Sequence, residues 1–201
     1  MSGKAAKASK KMDSRVARTR DVLGDAMIAL MLEKPFEEIT VQQVLDRAGV
    51  ARSTFYTHYR DKDDLFLSDA EEFFETMATS VSRDEKDSDR IAPVREFFSH
   101  VADMREFSRA VVISGKAHDL MELGRGHFAR AMNDRLATMP RARGIAPERR
   151  AAVAHAFAGA MFSMLEWWVD RQERPSPAEM DALFHKLVWS GITAHLYTSE
   201  I

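Results

Sequence analysis

The sequence predicts an all-α protein in which a small three-helix N-terminal domain precedes a larger helical body, with about nine helices in total. Three observations support this fold class. Apolar residues recur at spacings of three and four along most of the 201 residues. Glycine and proline interrupt these segments where helices would end. Segments with the alternation typical of β-strands are almost absent.

The first helix is predicted from about Arg15 to Leu32. Pro35 marks its end, and Phe36 and Ile39 are expected to fill the junction that follows. Its apolar residues repeat with a helical period and would form the buried face: Val16, Leu23, Ala26, Met27, Leu30 and Met31.

The segment Ile39–Leu65 predicts two short helices joined by a tight turn. Gly49 would end the first helix, because glycine enters the left-handed conformation without a side-chain clash. We expect Ser53 to cap the second helix. The apolar residues lie at helical spacing and would face the core: Val44, Leu45, Ala48, Phe55 and Tyr59.

The opposite face of the second helix carries side chains that can hydrogen-bond: Arg52, Ser53, Thr54, Tyr56, Thr57 and His58. A helix in the major groove needs hydroxyl groups that bind phosphates and a long donor that reaches base edges. A solvated polar face is the alternative interpretation. Three further positions favour DNA. Thr40 and Gln42 begin the first helix of the pair, and Lys62 lies in the first turn of the next helix, where a phosphate is a natural partner.

This segment resembles the DNA-binding domain of tetracycline-repressor-like (TetR/AcrR) transcriptional regulators. The resemblance rests on Thr40, the triplet Ala48-Gly49-Val50, the run Ser53–Tyr59 and Lys62. Leu45 departs from the family, which usually has alanine at this helix crossing.

The resemblance implies DNA contacts for the matching residues: Thr40, Arg52, Ser53, Thr54, Tyr56, His58 and Lys62. Gln42 and Thr57 complete the predicted interface because they lie on the same polar surfaces. The resemblance also implies binding to a double-stranded DNA operator as a homodimer, with a helical C-terminal domain for an effector.

Charge is unevenly distributed. Residues 1–62 contain 12 Lys and Arg against 8 Asp and Glu, whereas the whole chain has a net charge of -2. A basic domain followed by an acidic body fits DNA binding through the first. Residues 1–14 are predicted to be a flexible basic arm, which either solubilises the chain or contacts phosphates and the minor groove. Residues 15–61 would be the helix-turn-helix domain, and 62–201 the effector-binding and dimerisation domain.

Other classes of protein find little support. The chain has no cysteine, no apolar run long enough to span a membrane and no secretory leader, so we expect a cytoplasmic bacterial protein that joins the nucleoid when bound to DNA. We expect no cofactor, no metal and no enzyme activity. The best candidates for chemistry are His118, His127 and His155, but they lack metal-ligand spacing, and the sequence has no phosphate loop or nucleophile elbow.

The last two predicted helices suggest a dimer interface. Small side chains recur on one face of the first, and a second row of large ones would face the core or a cavity. Ordinary close packing within one subunit is the alternative. The predicted interface comprises Ala152, Ala156, Gly159, Ser163, Phe184, Leu187, Val188 and Gly191.

Aromatic and thioether side chains of the body predict a small, largely apolar effector, which stays unidentified. The predicted pocket comprises Phe73, Met77, Phe97, Val101, Met104, Phe128, Met161, Met164 and Trp168. A long helix from Lys62 would act as a lever between effector and DNA. The predicted function is a ligand-responsive repressor at a pseudo-palindromic operator. A sequence-independent architectural DNA-binding protein and an activator of the same family are the alternatives.

Overall fold

The computed structural model describes residues 2–80 and 89–197, and its side chains over 16–68, 70–80 and 89–192. These residues form nine α-helices and no β-strand, which confirms the all-α prediction. The helices are α1 (Ser2–Met31), α2 (Val41–Ala48), α3 (Arg52–His58), α4 (Lys62–Ala78), α5 (Val94–Asp103), α6 (Arg105–Ile113), α7 (Ala117–Thr138), α8 (Pro147–Val169) and α9 (Pro177–Tyr197). Short 3₁₀ turns span Phe36–Glu38 and Pro140–Ala142.

The chain forms two compact units. The first contains the residues up to Ala70 together with Glu106–His118, and the second contains the described residues of Glu71–Arg105 and of Asp119 onward. The sequence analysis placed a single boundary after residue 61, whereas α6 joins the first unit. Contacts remote in sequence explain this difference, because the Phe36 N–H donates to the carbonyl of Ser114 at 3.1 Å.

Helix α1 begins at Ser2, earlier than the predicted start near Arg15. The prediction followed the apolar pattern, which residues 2–14 lack, but their alanines and lysines have high intrinsic helix propensity. A DNA contact by this segment stays a prediction. The apolar face from Leu23 to Met31 is buried as expected, but Val16 is 36% exposed, because it precedes the part of α1 that packs.

The turn between α2 and α3 follows the prediction at Gly49 but not at Ser53. Gly49 has φ 66° and ψ 31°, and its N–H donates to the carbonyl of Leu45. Helix α3 begins at Arg52 after an extended Ala51 that offers no side-chain cap. The prediction that Ser53 caps α3 was therefore wrong, since the chain resumes helical geometry earlier and Ser53 lies within the first turn.

The second unit packs around four phenylalanine rings, here called the aromatic cluster: Phe74, Phe97, Phe128 and Phe162. The centroids of all six ring pairs lie between 5.0 and 6.5 Å apart. Gly124 of α7 permits this packing. A Cβ at that position would lie less than 3.0 Å from ring carbons of both Phe162 and Phe74.

Helix α9 bonds the segment Asp89–Arg95 through three side chains spaced one turn apart. Asp181 pairs with Arg90 at 2.9 Å. His185 Nε2 accepts a main-chain N–H of the segment at 3.1 Å, and Trp189 Nε1 donates to a main-chain carbonyl at 2.8 Å. These bonds fix the chain where it enters α5.

The apolar pattern of the helix that begins at Lys62 predicts its end near Val81, which lies outside the described residues. Among the helices that the structure describes, none has both the length and the apolar character needed to cross a bilayer.

Candidate nucleic-acid interface

All nine residues predicted to contact DNA lie in the first unit, on α2, α3 and the N-termini of α2 and α4. Six are exposed: Thr40, Gln42, Arg52, Ser53, Tyr56 and Thr57. Three are partly buried: Thr54, His58 and Lys62. Their contact with DNA stays a prediction, but most are accessible to a partner.

The orientation of α3 is fixed by its apolar face. Phe55 and Tyr59 are buried as predicted, and the Tyr59 hydroxyl accepts a hydrogen bond from Arg20 Nε of α1 at 3.2 Å. The ring of Tyr56 meets Phe55 edge to face, with centroids 5.3 Å apart, and stays 49% exposed. Because Phe55 and Tyr59 hold the apolar side of α3 in the core, its polar side faces outward.

Thr40 caps α2 in a reciprocal arrangement with Gln43. Its hydroxyl oxygen accepts from the Gln43 N–H at 3.3 Å, and Gln43 Oε1 accepts from the Thr40 N–H at 3.0 Å. This capping box satisfies two N-terminal amides. It engages the Thr40 hydroxyl only as an acceptor, so the hydroxyl hydrogen can still be donated to a phosphate.

Arg52, the first residue of α3, is exposed, and its side chain reaches towards α2. Its Nη1 is 3.5 Å from Gln42 Oε1, and its Cζ is 5.7 Å from the centroid of the Tyr56 ring. Gln42 Nε2 in turn donates to Asp46 Oδ1 at 2.8 Å. Sequence analysis missed Asp46, although its position one helical turn after Gln42 was a usable signal.

Thr57 and Lys62 also form hydrogen bonds within the first unit. The Thr57 hydroxyl donates to the Ser53 carbonyl at 2.9 Å, so its hydrogen is already engaged. Lys62 Nζ donates to the carbonyls of Phe36 and Glu37 at 2.7 and 3.3 Å and lies 4.6 Å from the Phe36 ring centroid. These bonds supply a reason for Lys62 at the start of α4 that needs no phosphate.

The predicted effector residues divide into two groups in the second unit. Four are buried core: Phe97, Phe128, Met161 and Trp168. The others are at least partly exposed: Phe73, Met77, Val101, Met104 and Met164. Phe73 is stacked on His100, with ring centroids 4.6 Å apart. The partly exposed group offers the surface that a ligand could reach.

The predicted dimer residues also divide. Ala152, Ala156, Ser163, Leu187 and Gly191 are exposed, and Gly159 is partly exposed. Phe184 and Val188 are buried in the core, because they lie on the inner side of α9, so they are not available to a second subunit.

Sequence analysis missed two exposed apolar side chains near the predicted dimer face. Trp167 is 46% and Leu183 is 47% exposed. Trp167 continues the row of small residues one turn beyond Ser163, and Leu183 precedes Leu187 by one turn. That spacing was the signal available in the sequence.

Residues 24–68, which contain α2, α3 and the capped turn, match the family model described as bacterial regulatory proteins, tetR family. This segment of the chain is therefore similar to the DNA-binding domain of the TetR family. A 72-residue segment is 35% identical to the HTH-type transcriptional repressor Rv1474c of Mycobacterium tuberculosis, covering 36% of this chain and 38% of that protein. A 57-residue segment is 37% identical to the uncharacterized HTH-type transcriptional regulator YxbF of Bacillus subtilis, covering 28% of this chain and 15% of that protein.

The similarity to these two curated relatives thus spans less than half of their length. Structural similarity extends further. The TetR transcriptional regulator from Streptococcus agalactiae superposes with a TM-score of 0.64 at 19% identity, covering 90% of this chain and 98% of that one. At this identity the likeness concerns the fold alone.

Proposed function

We propose that this chain is a transcriptional repressor of the TetR family that binds a pseudo-palindromic operator as a homodimer and is released by a small, largely apolar ligand. The observation that carries the proposal is the outward polar face of α3, held in place by the burial of Phe55 and Tyr59. A recognition helix needs this combination of a fixed apolar side and a polar side that reaches base edges.

The residues of this face would have different roles. Arg52 carries a long, planar donor that suits guanine O6 and N7 in the major groove. Tyr56 and the Thr40 hydroxyl suit phosphate oxygens, which fix register without reading sequence. The sequence of α3, from Arg52 to His58, contains no carboxylate that would repel the DNA backbone.

Dimerisation is supported by exposed apolar and small side chains in the second unit. A Cβ at Gly159 would meet nothing within 4 Å, so no neighbour in the same chain requires glycine there. A close helix from a second copy would use the space that glycine leaves, and exposed Trp167 and Leu187 would contribute apolar area.

The ligand response would use α4, which is uninterrupted from Lys62 to Ala78. Phe73 and Met77 are partly exposed on the C-terminal half of this helix. A ligand that displaces them would displace the N-terminal end of α4 as well, since a helix moves as a rigid rod over this length. Release requires that the ligand prefer the state that does not bind DNA.

Selection of DNA from a random-sequence pool by the full-length protein tests the proposal. We expect an enriched two-fold site, and we expect Arg52→Ala to relax preference at particular base pairs by about 1 to 3 kcal/mol. Arg109→Ala, which removes an exposed arginine of α6, is the matched control for charge. Binding without any sequence preference would favour an architectural protein instead, and activation of transcription at the selected site would favour an activator.

A further inference from the structure

Four side chains form a connected row across the exposed faces of α2 and α3. Asp46 accepts from Gln42 Nε2 at 2.8 Å, Gln42 Oε1 lies 3.5 Å from Arg52 Nη1, and the Arg52 guanidinium lies over the Tyr56 ring at 5.7 Å. Arg52 is the residue to which the proposed function assigns base reading. The row therefore contains the group that would discriminate between bases.

The direction of the Gln42 amide follows from the chemistry of Asp46. An ionised carboxylate only accepts hydrogen bonds, so it selects the NH₂ end of the amide and turns the oxygen of Gln42 towards Arg52. The opposite amide orientation would place the NH₂ group against the Arg52 guanidinium, where two donors meet, and the amide oxygen against the Asp46 carboxylate, where two acceptors meet. The neighbouring Gln43 is not an alternative holder, because its oxygen already accepts from Thr40 and from Lys34.

We propose that Asp46 is a positioning residue that sets DNA sequence preference without contacting a base. It fixes the amide of Gln42, which holds the guanidinium of Arg52 before DNA arrives. Arranging a long, flexible side chain in advance reduces the entropy lost when it binds its base. This inference rests on the proposed function.

The proposal separates affinity from specificity. The negative charge of Asp46 on a DNA-binding surface opposes phosphate binding to every sequence, so its removal should not weaken overall affinity. Losing the fixed amide should instead weaken the preference for the correct base. A residue with only a structural role would not move these two quantities in different directions.

The experiment uses the full-length protein, a duplex that the wild-type protein selects from a random pool, and single-base variants of that duplex. For Asp46→Ala we expect the affinity for DNA of any sequence to be unchanged or higher. The discrimination between the selected duplex and its single-base variants should fall about fivefold at the base pairs that depend on Arg52. Asp46→Asn keeps an acceptor for Gln42 and should retain most of the discrimination. In an Arg52→Ala background, Asp46→Ala should cause no further loss.

Glu33→Ala is the matched control. Glu33 is an exposed carboxylate of the same unit that pairs with Arg47 at 2.7 Å, so the variant makes the same change of charge without touching Gln42. It should alter affinity but not discrimination. Thermal unfolding of Asp46→Ala should match that of the wild-type protein, because Asp46 is exposed.

Two results separate the possible failures. If the wild-type protein selects a site and Arg52→Ala relaxes it, but Asp46→Ala leaves discrimination unchanged or lowers it equally without Arg52, the positioning role is refuted and the proposed function stands. If the wild-type protein selects no sequence, the proposed function and the role of Asp46 are both refuted.

Discussion

Gly124 lies where the aromatic cluster leaves no room for a methyl group. Gly124→Ala should destabilise the protein by about 1 to 3 kcal/mol, because the rings of Phe162 and Phe74 must shift. Gly126→Ala, two residues further along the same helix, is the control, since a Cβ there would meet only the flexible end of Arg130 at 3.5 Å. That variant should be neutral or stabilising by up to about 1 kcal/mol, because alanine favours the helix. Chemical unfolding measures both, and equal effects would contradict the packing described.

Asp181 should make stability depend on pH. Burial acts to raise its pKa, but the hydrogen bond with His185 and the charge of Arg90 outweigh burial and hold the pKa below its usual value. The stabilisation is therefore present above the unfolded-state pKa of about 3.9 and is lost as pH falls through the lower folded-state pKa.

Asp181→Asn should thus be less stable than the wild-type protein near neutral pH, and the difference should shrink on acidification. Asp103→Asn, which removes an exposed carboxylate of α5, is the control and should keep the wild-type pH profile. Unfolding free energies between about pH 3 and 7 test this. A constant difference for Asp181→Asn across that range would count against the ion pair.

At the scale of the elements, the α2–α3 turn depends on the backbone of Gly49 and not on its packing. A Cβ at Gly49 would meet nothing within 4 Å, yet its φ of 66° is unfavourable for most residues. Gly49→Ala should destabilise the protein by about 1 kcal/mol, and Gly49→Asn by less, because asparagine tolerates the left-handed region. Thermal unfolding distinguishes the two variants, and identical losses would show that φ is not the cause.

The helices of the first unit differ in how closely their boundaries and caps could be predicted from the sequence. Gly49 and the buried pair Phe55 and Tyr59 follow from local rules, so the helix-turn-helix segment was predicted closely. The start of α1 was not, because propensity extends it where no apolar face exists. Ser53 was misplaced as a cap, since Ser, Thr, Asp and Asn also occur inside first turns.

Contacts between distant residues were beyond prediction from the sequence. The bond from Phe36 to Ser114 places α6 in the first unit, and Asp181 pairs with Arg90 from far along the chain. Nothing in the local pattern near either partner indicates the other. The same limit applies to Phe184 and Val188, whose helical spacing leaves open which side of α9 faces the core.

At the scale of the whole molecule, the proposed homodimer uses the exposed faces of α8 and α9. Leu187→Glu should weaken self-association about a hundredfold, because a charge would be buried against an apolar partner surface. Val112→Glu is the control, since Val112 is 67% exposed and lies on α6, which is not part of the proposed interface. Sedimentation velocity over a range of concentrations measures the effect. Dimers of unchanged affinity for Leu187→Glu would contradict this assignment.

In the proposed complex, two copies of α3 related by two-fold symmetry bind one DNA site. In such a complex the recognition helices lie about 34 to 36 Å apart, one turn of B-DNA. The direct measurement compares the affinity of the wild-type protein for its selected site with its affinity for the same site carrying about five added base pairs at the centre, which rotates one half-site by half a turn. If two copies of α3 bind one site, the affinity should fall to that of a single half-site. Equal affinity for the two duplexes would contradict it.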